Sequence, residues 1–348
     1  MRAKYWFLVF LGLFVLSGWS CAPKIYQAAK PAMLTDGRYD AYPYGDVSFA
    51  LNKISQSIYK FNVITFYKTY YFSKHQSFVK HNLHDSLMLS EAVAQAVTHE
   101  TALGTATVVY LDNYLAGLLT CAHVVHFADT LVRYFPDAQA KVQSVSVKIK
   151  QKIFVSGMQG IEPEVVATNT KSDIALLKMD VESLPIEEMP VKLPFPVGNS
   201  AQLGWGNFVY IMGFPLGQMM LNHGIVSHPS QQRKGFFLTD AVFNKGISGA
   251  PVFAIRDGAP YFEWVGMASS GMVDKLVYLE PALDKDETYT QSEAFSGKIL
   301  INRKKIIKYG LTYSVSIEEI LKFVNQHQTE LSENGFRVDG FFQRDVGN

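Results

Sequence analysis

The sequence predicts an all-β body closed by one C-terminal helix, and three observations carry that expectation. Short segments rich in β-branched and aromatic residues recur between clusters of Gly, Pro, Asn and Asp. Few long stretches show the 3.6-residue apolar spacing of a helix. The last clear element does show it: Ser316-Ile317-Glu318-Glu319 reads as a capping box, and Ile317, Ile320, Leu321 and Val324 fall on one helical face.

In chain order, Ser48 to Tyr59 has helical spacing at Leu51, Ile54 and Ile58, and Phe61 to Phe72 has strand composition. Val145, Val147 and Ile149 alternate with Ser146, Lys148 and Lys150, the pattern of a half-buried strand. Further strands are predicted at Val165–Ala167, Ile174–Leu177, Phe208–Met212, Phe236–Thr239, Pro251–Ile255 and Trp264–Ala268. Many short strands of this kind build a barrel or a sandwich.

Composition narrows the function. Of 348 residues 48% are hydrophobic and 18% charged, enough apolar material for a sizeable core. Lys plus Arg (32) nearly balance Asp plus Glu (31), which gives no charge excess for a general nucleic-acid binder. The two cysteines, Cys21 and Cys121, exclude a disulfide-stapled scaffold and any metal site built on three thiolates.

The amino terminus has the layout of an export signal: Arg2 and Lys4, an apolar run from Tyr5 to Leu16, then Ser17-Gly18-Trp19-Ser20-Cys21. The run is short of the about 20 apolar residues that span a bilayer. The segment resembles a bacterial lipoprotein signal, although Gly18 stands where that family usually has Leu. The resemblance implies a signal at residues 1–20 and lipidation of Cys21, hence a membrane anchor. An ordinary signal peptide cut near Cys21 is the alternative. Residues 21–46 hold Pro23, Pro31, Pro43, Gly37 and Gly45 without periodicity, and suit a tether. The folded body is expected over 47–331, with 332–348 as a tail.

Three segments carry chemistry. Leu119-Thr120-Cys121-Ala122-His123 is an apolar strand ending in a histidine; Ser172-Asp173-Ile174 sets an aspartate before an apolar strand; Gly246-Ile247-Ser248-Gly249 brackets a serine with glycines. Nucleophilic hydrolysis needs an alcohol, a base for its proton, and a carboxylate to orient the base. Each residue alone has a plain structural explanation, turn chemistry above all. The order His, Asp, Ser at strand edges in an exported all-β chain joins them.

These segments, with Gly104-Thr105-Ala106, Gly213-Phe214-Pro215-Leu216-Gly217, Gly224-Ile225-Val226-Ser227, Thr239-Asp240-Ala241, Val265-Gly266-Met267 and Leu311 to Val315, resemble the trypsin/chymotrypsin-like serine endopeptidases, most of all their HtrA branch. The resemblance covers about residues 48–330. It implies two six-stranded antiparallel barrels with the site between them. It also implies Ser248 as nucleophile, His123 as base, Asp173 as its orienting carboxylate, and the Gly246 and Ser248 N–H groups as oxyanion hole, with no metal or organic cofactor. Ile247 and Ala250 depart from the family's common residues. No PDZ domain is expected in the short stretch after the helix.

For the substrate, Val242 is expected to line the first pocket, and Val265 to Ser270 to supply the strand on which a peptide adds, with Val265, Met267 and Ala268 as its binding residues. An aliphatic or small residue before the cut fits, and Asp240 is read as structural. Cys121 is expected to be a buried apolar neighbour of the base. The insertions 73–100, with His75, His81, His84 and His99, and 271–308 are read as solvated loops without assigned function. The expectation is a lipid-anchored serine endopeptidase of the bacterial envelope acting on peptides or proteins. The alternative is a catalytically silent homologue that only binds them.

Overall fold

The computed structural model describes residues 35–43, 45–75, 90–135, 138–158, 160–229, 234–281, 297 and 299–342. Cys21, the expected signal, most of the tether, His81 and His84 lie outside them. The described chain is a two-module β structure with short helices, as its sequence predicts.

The first helix, α1 (Ser48–Ser55), buries Ala50 and Ile54. It stops before Tyr59 because the Ser57 N–H closes a turn on the Ile54 carbonyl and the chain leaves as a strand. The N-terminal sheet is antiparallel in the order β4 (Thr130–Phe135), β5 (Ala138–Val155), β1 (Ile58–Tyr71), β2 (Ala94–Leu111), β3 (Leu115–Thr120), β7 (Ile174–Asp180), β6 (Glu164–Asn169). It has seven strands and stays open, where the resemblance implies a closed six-stranded barrel. The reason is length: β2 and β5 run 18 residues each, overshoot the core, and β4 pairs with the overshoot. The insertion at 73–100 therefore ends as strand from Ala94. The alternation read at 145–149 breaks at Ile149, which is exposed. A bulge pairs Phe66 with Lys150 and Tyr67 with Lys148, so Ile149 is the extra residue and the faces exchange there.

The C-terminal module is a closed barrel, β10 (Phe236–Thr239), β13 (Ile299–Ser316), β12 (Phe262–Pro281), β11 (Pro251–Ile255), β8 (Phe208–Gly213) and β9 (Met220–His228). Strands β12 and β13 outrun the barrel as a paired ribbon from Met272↔Lys308 to Pro281↔Ile299. That ribbon corrects the loop reading of 271–308, and it carries exposed Leu279 and Ile301.

After β13 comes α3 (Ile317–Gln326). Ser316 Oγ accepts the Glu319 N–H, the predicted cap, while the Ser316 N–H goes to Gly235 rather than back to Glu319. Ile317, Ile320, Phe323 and Val324 are buried; Phe323 takes the place expected of Leu321. Glu318 ties the helix to the barrel through the Ser200 N–H and hydroxyl. The stretch expected as a tail instead packs. α4 (Gln328–Glu333) leads to Phe336 and Phe341, whose rings lie 5.1 and 5.0 Å from that of Tyr110. Full burial of such rings is worth about 1.5–3 kcal/mol each, which holds this end on the N-terminal sheet.

Part of the expected tether is also docked. Asp40 pairs through N–H and C=O with Ile255 and Phe208, and Arg256 lies over the Tyr39 ring at 4.1 Å. The Tyr39 hydroxyl donates to Glu263 at 2.6 Å. Burial first, then Glu263 against an opposing bond from the Asn199 N–H, pushes its pKa up to about 12, so it remains a donor.

Candidate active site

His123 sits in a single turn, α2 (Ala122–Val125), that caps the buried end of β3. Asp173 precedes β7 with φ 58°, a left-handed conformation uncommon outside glycine. Asn169 makes that bend by accepting the Lys171 and Ser172 N–H groups at 3.0 and 3.1 Å. The bend turns the carboxylate back toward α2. Its Oδ1 accepts the His123 backbone N–H at 3.0 Å, and Oδ2 lies 2.8 Å from His123 Nδ1. On the far edge of the ring, Nε2 is 3.0 Å from Ser248 Oγ. The expected base, carboxylate and alcohol are thus joined in one hydrogen-bonded row.

The carboxylate is nearly enclosed. Burial alone raises its pKa, yet the bonds and charge from His123, the Ser269 hydroxyl and the His123 N–H outweigh it and hold Asp173 below its ordinary value. Asp173 therefore stays ionised. With a proton on Nδ1, Nε2 is left as the acceptor facing the serine.

The nucleophile turn joins β10 to β11, and its backbone groups can be followed one peptide at a time. The Lys245 carbonyl accepts the Leu216 N–H at 2.7 Å. The Gly246 carbonyl accepts the Thr105 hydroxyl at 2.8 Å, and the Ile247 N–H donates to Asn244 at 3.1 Å. The Ile247 carbonyl takes the Ala250 N–H, the Ser248 carbonyl takes the Thr105 N–H, and the Gly249 N–H goes to Ala268. From Gly246 to Ala250, the N–H groups of Ile247, Gly249 and Ala250 are bonded within the protein, and those of Gly246 and Ser248 have no protein acceptor among the described residues. Two buried donors left open side by side near Ser248 are a notch-like arrangement that can receive an anion. The shape demands glycine twice. Gly246 has φ 103° and a Cβ there would meet the Phe214 oxygen at 2.1 Å; Gly249 has φ 91° and would meet the Thr105 oxygen at 2.0 Å.

Two residues stood in stretches the sequence singled out but were given no role of their own. Ser269 is buried, donates its hydroxyl to Asp173 at 2.5 Å and offers its carbonyl to Ser248 Oγ at 3.1 Å. The sequence placed it only within Val265 to Ser270, as part of a strand for the substrate. Thr105 stood within Gly104-Thr105-Ala106 in β2, far from the serine in sequence.

Of the expected pocket residues, Val242 is exposed beside the turn, with its carbonyl on Asn222 at 3.2 Å. Val265, Met267 and Ala268 are placed differently from the expectation. All three are buried within β12, and Met267 pairs with both Pro251 and Val315. Ala268 spends its N–H and C=O on Ala250 and Gly249. Pairing with β11 ends at Met267, so the strand edge free of β11 is Ser269–Gly271. Asp240 accepts the Ile225 N–H at 2.6 Å, the structural role expected of it.

Cys121 lies next to the carboxylate, with its thiol directed at the Ala268 carbonyl at 3.3 Å. Burial, then the Asp173 charge, raises its pKa well above the usual thiol value, so it is a poor nucleophile. Cys121, His123 and Asp173 are also the one group of three metal-ligating side chains among the described residues, with ligand atoms within 4.8 Å of one another. Nδ1 and both carboxylate oxygens are already spent on each other, which a metal would have to undo.

The two antiparallel β modules meet at the Ser–His–Asp row, and the family model of the trypsin-like peptidase domain matches residues 104–267. That span contains His123, Asp173 and Ser248. Over the same region the chain is similar to proteins named "Probable periplasmic serine endoprotease DegP-like": 30% identical over 158 residues to that of Pseudomonas fulva strain 12-X, covering 44% of this chain and 26% of the relative. The similarity to that of Pseudomonas putida strain GB-1 is 29% over 161 residues (44% and 27%), and to that of Halomonas elongata 28% over 158 residues (44% and 27%). The chain spans about a quarter of the length of these curated relatives.

Proposed function

We propose that the chain is a serine endopeptidase of the bacterial cell envelope, held to a membrane through an acylated Cys21 and acting on peptides or proteins. The observation that carries the reading is the hydrogen-bonded row Asp173–His123–Ser248 ending beside two unclaimed N–H groups.

The chemistry follows from that geometry. Ser248 Oγ bonds to the scissile carbonyl carbon as its proton passes to His123 Nε2. The carbonyl electron pair moves onto oxygen, which the Gly246 and Ser248 N–H groups receive. Collapse breaks the C–N bond, and the Nε2 proton leaves with the amine. Water then enters, its oxygen bonding to the acyl carbon as its proton passes to Nε2; collapse breaks the Ser248 Oγ–C bond, the Nε2 proton returns to Oγ, and the acid leaves. Asp173 stays ionised and stabilises the imidazolium formed in each half. The substrate strand would pair along Ser269–Gly271, with its side chain before the cut against Val242. An apolar valine there suits an aliphatic or small residue, with no acid to hold Lys or Arg.

Export and anchoring rest on the amino-terminal pattern and on the word periplasmic in the relatives' names. Among the described residues no helix is long and apolar enough to cross a membrane.

Labelling with a fluorophosphonate probe tests the reading without a known substrate, since the probe needs a base-activated serine and a formed oxyanion hole. Wild type is expected to label, and Ser248→Ala and His123→Ala to lose labelling by on the order of 10⁴-fold or more. Intact mass of the labelled protein, purified from membranes, should show a chain beginning at acylated Cys21. A folded wild type that does not label favours the silent peptide-binding homologue, and an unmodified terminus overturns the anchor.

A further inference from the structure

Thr105 lies in β2 with no exposed surface, out of reach of any substrate. Its hydroxyl has two neighbours, and their chemistry fixes its direction. Oγ1 accepts the Phe214 N–H at 3.0 Å, so its single proton is free for the Gly246 carbonyl at 2.8 Å. The Thr105 backbone N–H donates to the Ser248 carbonyl at 2.8 Å, and its own carbonyl is held by the Thr120 hydroxyl at 2.7 Å.

The carbonyls that Thr105 holds flank the Ile247–Ser248 peptide, whose N–H is one of the two open donors. The other donor belongs to Gly246, the softest point of the turn, because glycine passes between positive and negative φ at little cost. A rotated Lys245–Gly246 peptide would put a carbonyl where the notch needs an N–H. What opposes that rotation is the bond from Leu216 to the Lys245 carbonyl. Leu216 belongs to the turn 213–217, and Thr105 holds that turn as well, through Phe214. One hydroxyl therefore ties the brace to the turn it braces.

We propose that Thr105 is a positioning residue that keeps the oxyanion-binding turn open, through its hydroxyl bridge between Phe214 and Gly246. This rests on the endopeptidase reading above. Thr105→Val keeps the shape and removes the bridge; Thr105→Ser keeps the bridge and removes a methyl.

The experiment is fluorophosphonate labelling of the full chain, resolved into the maximal rate kinact and the half-saturating concentration KI, with the thermal midpoint followed in parallel. Thr105→Val is expected to lower kinact about 10- to 100-fold, part of what loss of a whole oxyanion donor costs, with KI unchanged within about twofold. Thr105→Ser should return to within about threefold of wild type. If Thr105→Val does not fold, Thr105→Ala against Thr105→Ser isolates the hydroxyl with the methyl absent from both. Equal kinact in the hydroxyl-bearing and hydroxyl-free variants overturns the inference alone. A folded wild type that never labels overturns the endopeptidase reading, and this inference with it.

Discussion

The two halves of the site are built by different means. The N-terminal sheet supplies side chains: His123 and Asp173 stand at strand ends, and their roles come from an imidazole and a carboxylate 2.8 Å apart. The C-terminal barrel supplies backbone. Apart from the Ser248 hydroxyl, its part is the stretch Gly246–Ala250, in which the Gly246 and Ser248 N–H groups are left open while those of Ile247, Gly249 and Ala250 are paired within the protein. A side-chain half tolerates small backbone shifts, because rotamers can follow. A backbone half does not, because its donors have no rotamers. That difference fits the need for glycine twice in the turn and underlies the proposal that an anchor as remote as Thr105 bears on it.

The side-chain half should break hardest. Asp173→Asn keeps the shape but favours the wrong tautomer of His123, and kinact for the fluorophosphonate should fall on the order of 10⁴-fold. The same variant should change how stability depends on pH. Asp173 has a folded pKa below its unfolded value of about 3.9, so its ionisation stabilises the native state above that value. The contribution is lost as pH falls through the lower, folded value. Urea unfolding between pH 7 and pH 3 should therefore show wild type losing its advantage over Asp173→Asn only at the acid end. An advantage constant across that range would mean that the carboxylate is not held by its partners.

The backbone half should break with a smaller loss of rate and a larger loss of stability. Gly246→Ala puts a methyl 2.1 Å from the Phe214 oxygen and a side chain at φ 103°. The turn must move, one donor leaves the notch, and kinact should fall about 10²–10³-fold. The thermal midpoint should drop too, since strain of this kind costs on the order of 1–3 kcal/mol. A variant with wild-type kinact would show that the Gly246 N–H does not serve the oxyanion.

The same difference governs what was legible in the sequence. His123, Asp173 and Ser248 announce themselves because each chemical type stands in a recognisable local pattern. The glycines around Ser248 were legible for the same reason. The anchoring of the turn was not, since Thr105 stood out only as part of Gly104-Thr105-Ala106 and reaches Gly246 across 141 positions. The strand edge was legible only as the range Val265 to Ser270: pairing shows that Val265, Met267 and Ala268 are spent inside the sheet and that the edge free of β11 begins at Ser269. Barrel strands Phe236–Thr239 and Pro251–Ile255 were legible to the residue, bounded as they are by turns. The ribbon of β12 and β13 was hidden because its exposed stretches lack the one-sided apolar pattern by which a half-buried strand is read. The packed end at Phe336 and Phe341 was hidden because its partner, Tyr110, lies more than 200 positions away.

The smallest effect tests the seam between the halves. Ser269 belongs to the C-terminal barrel, yet its hydroxyl donates to Asp173 of the N-terminal sheet at 2.5 Å, while its carbonyl faces Ser248 Oγ. Ser269→Ala removes the hydroxyl and leaves the carbonyl. Asp173 then keeps the His123 ring and N–H but loses one of the bonds that offset its burial, so its pKa should rise and kinact should fall about 3- to 10-fold, the scale of one bond to a charged group partly compensated by the others. If the hydroxyl acts through the carboxylate, its removal should matter much less once the charge is gone. A double-mutant cycle with Asp173→Asn reads that coupling directly. Full additivity would mean that Ser269 acts on Ser248 through the backbone of β12, and the seam would then belong to the backbone half.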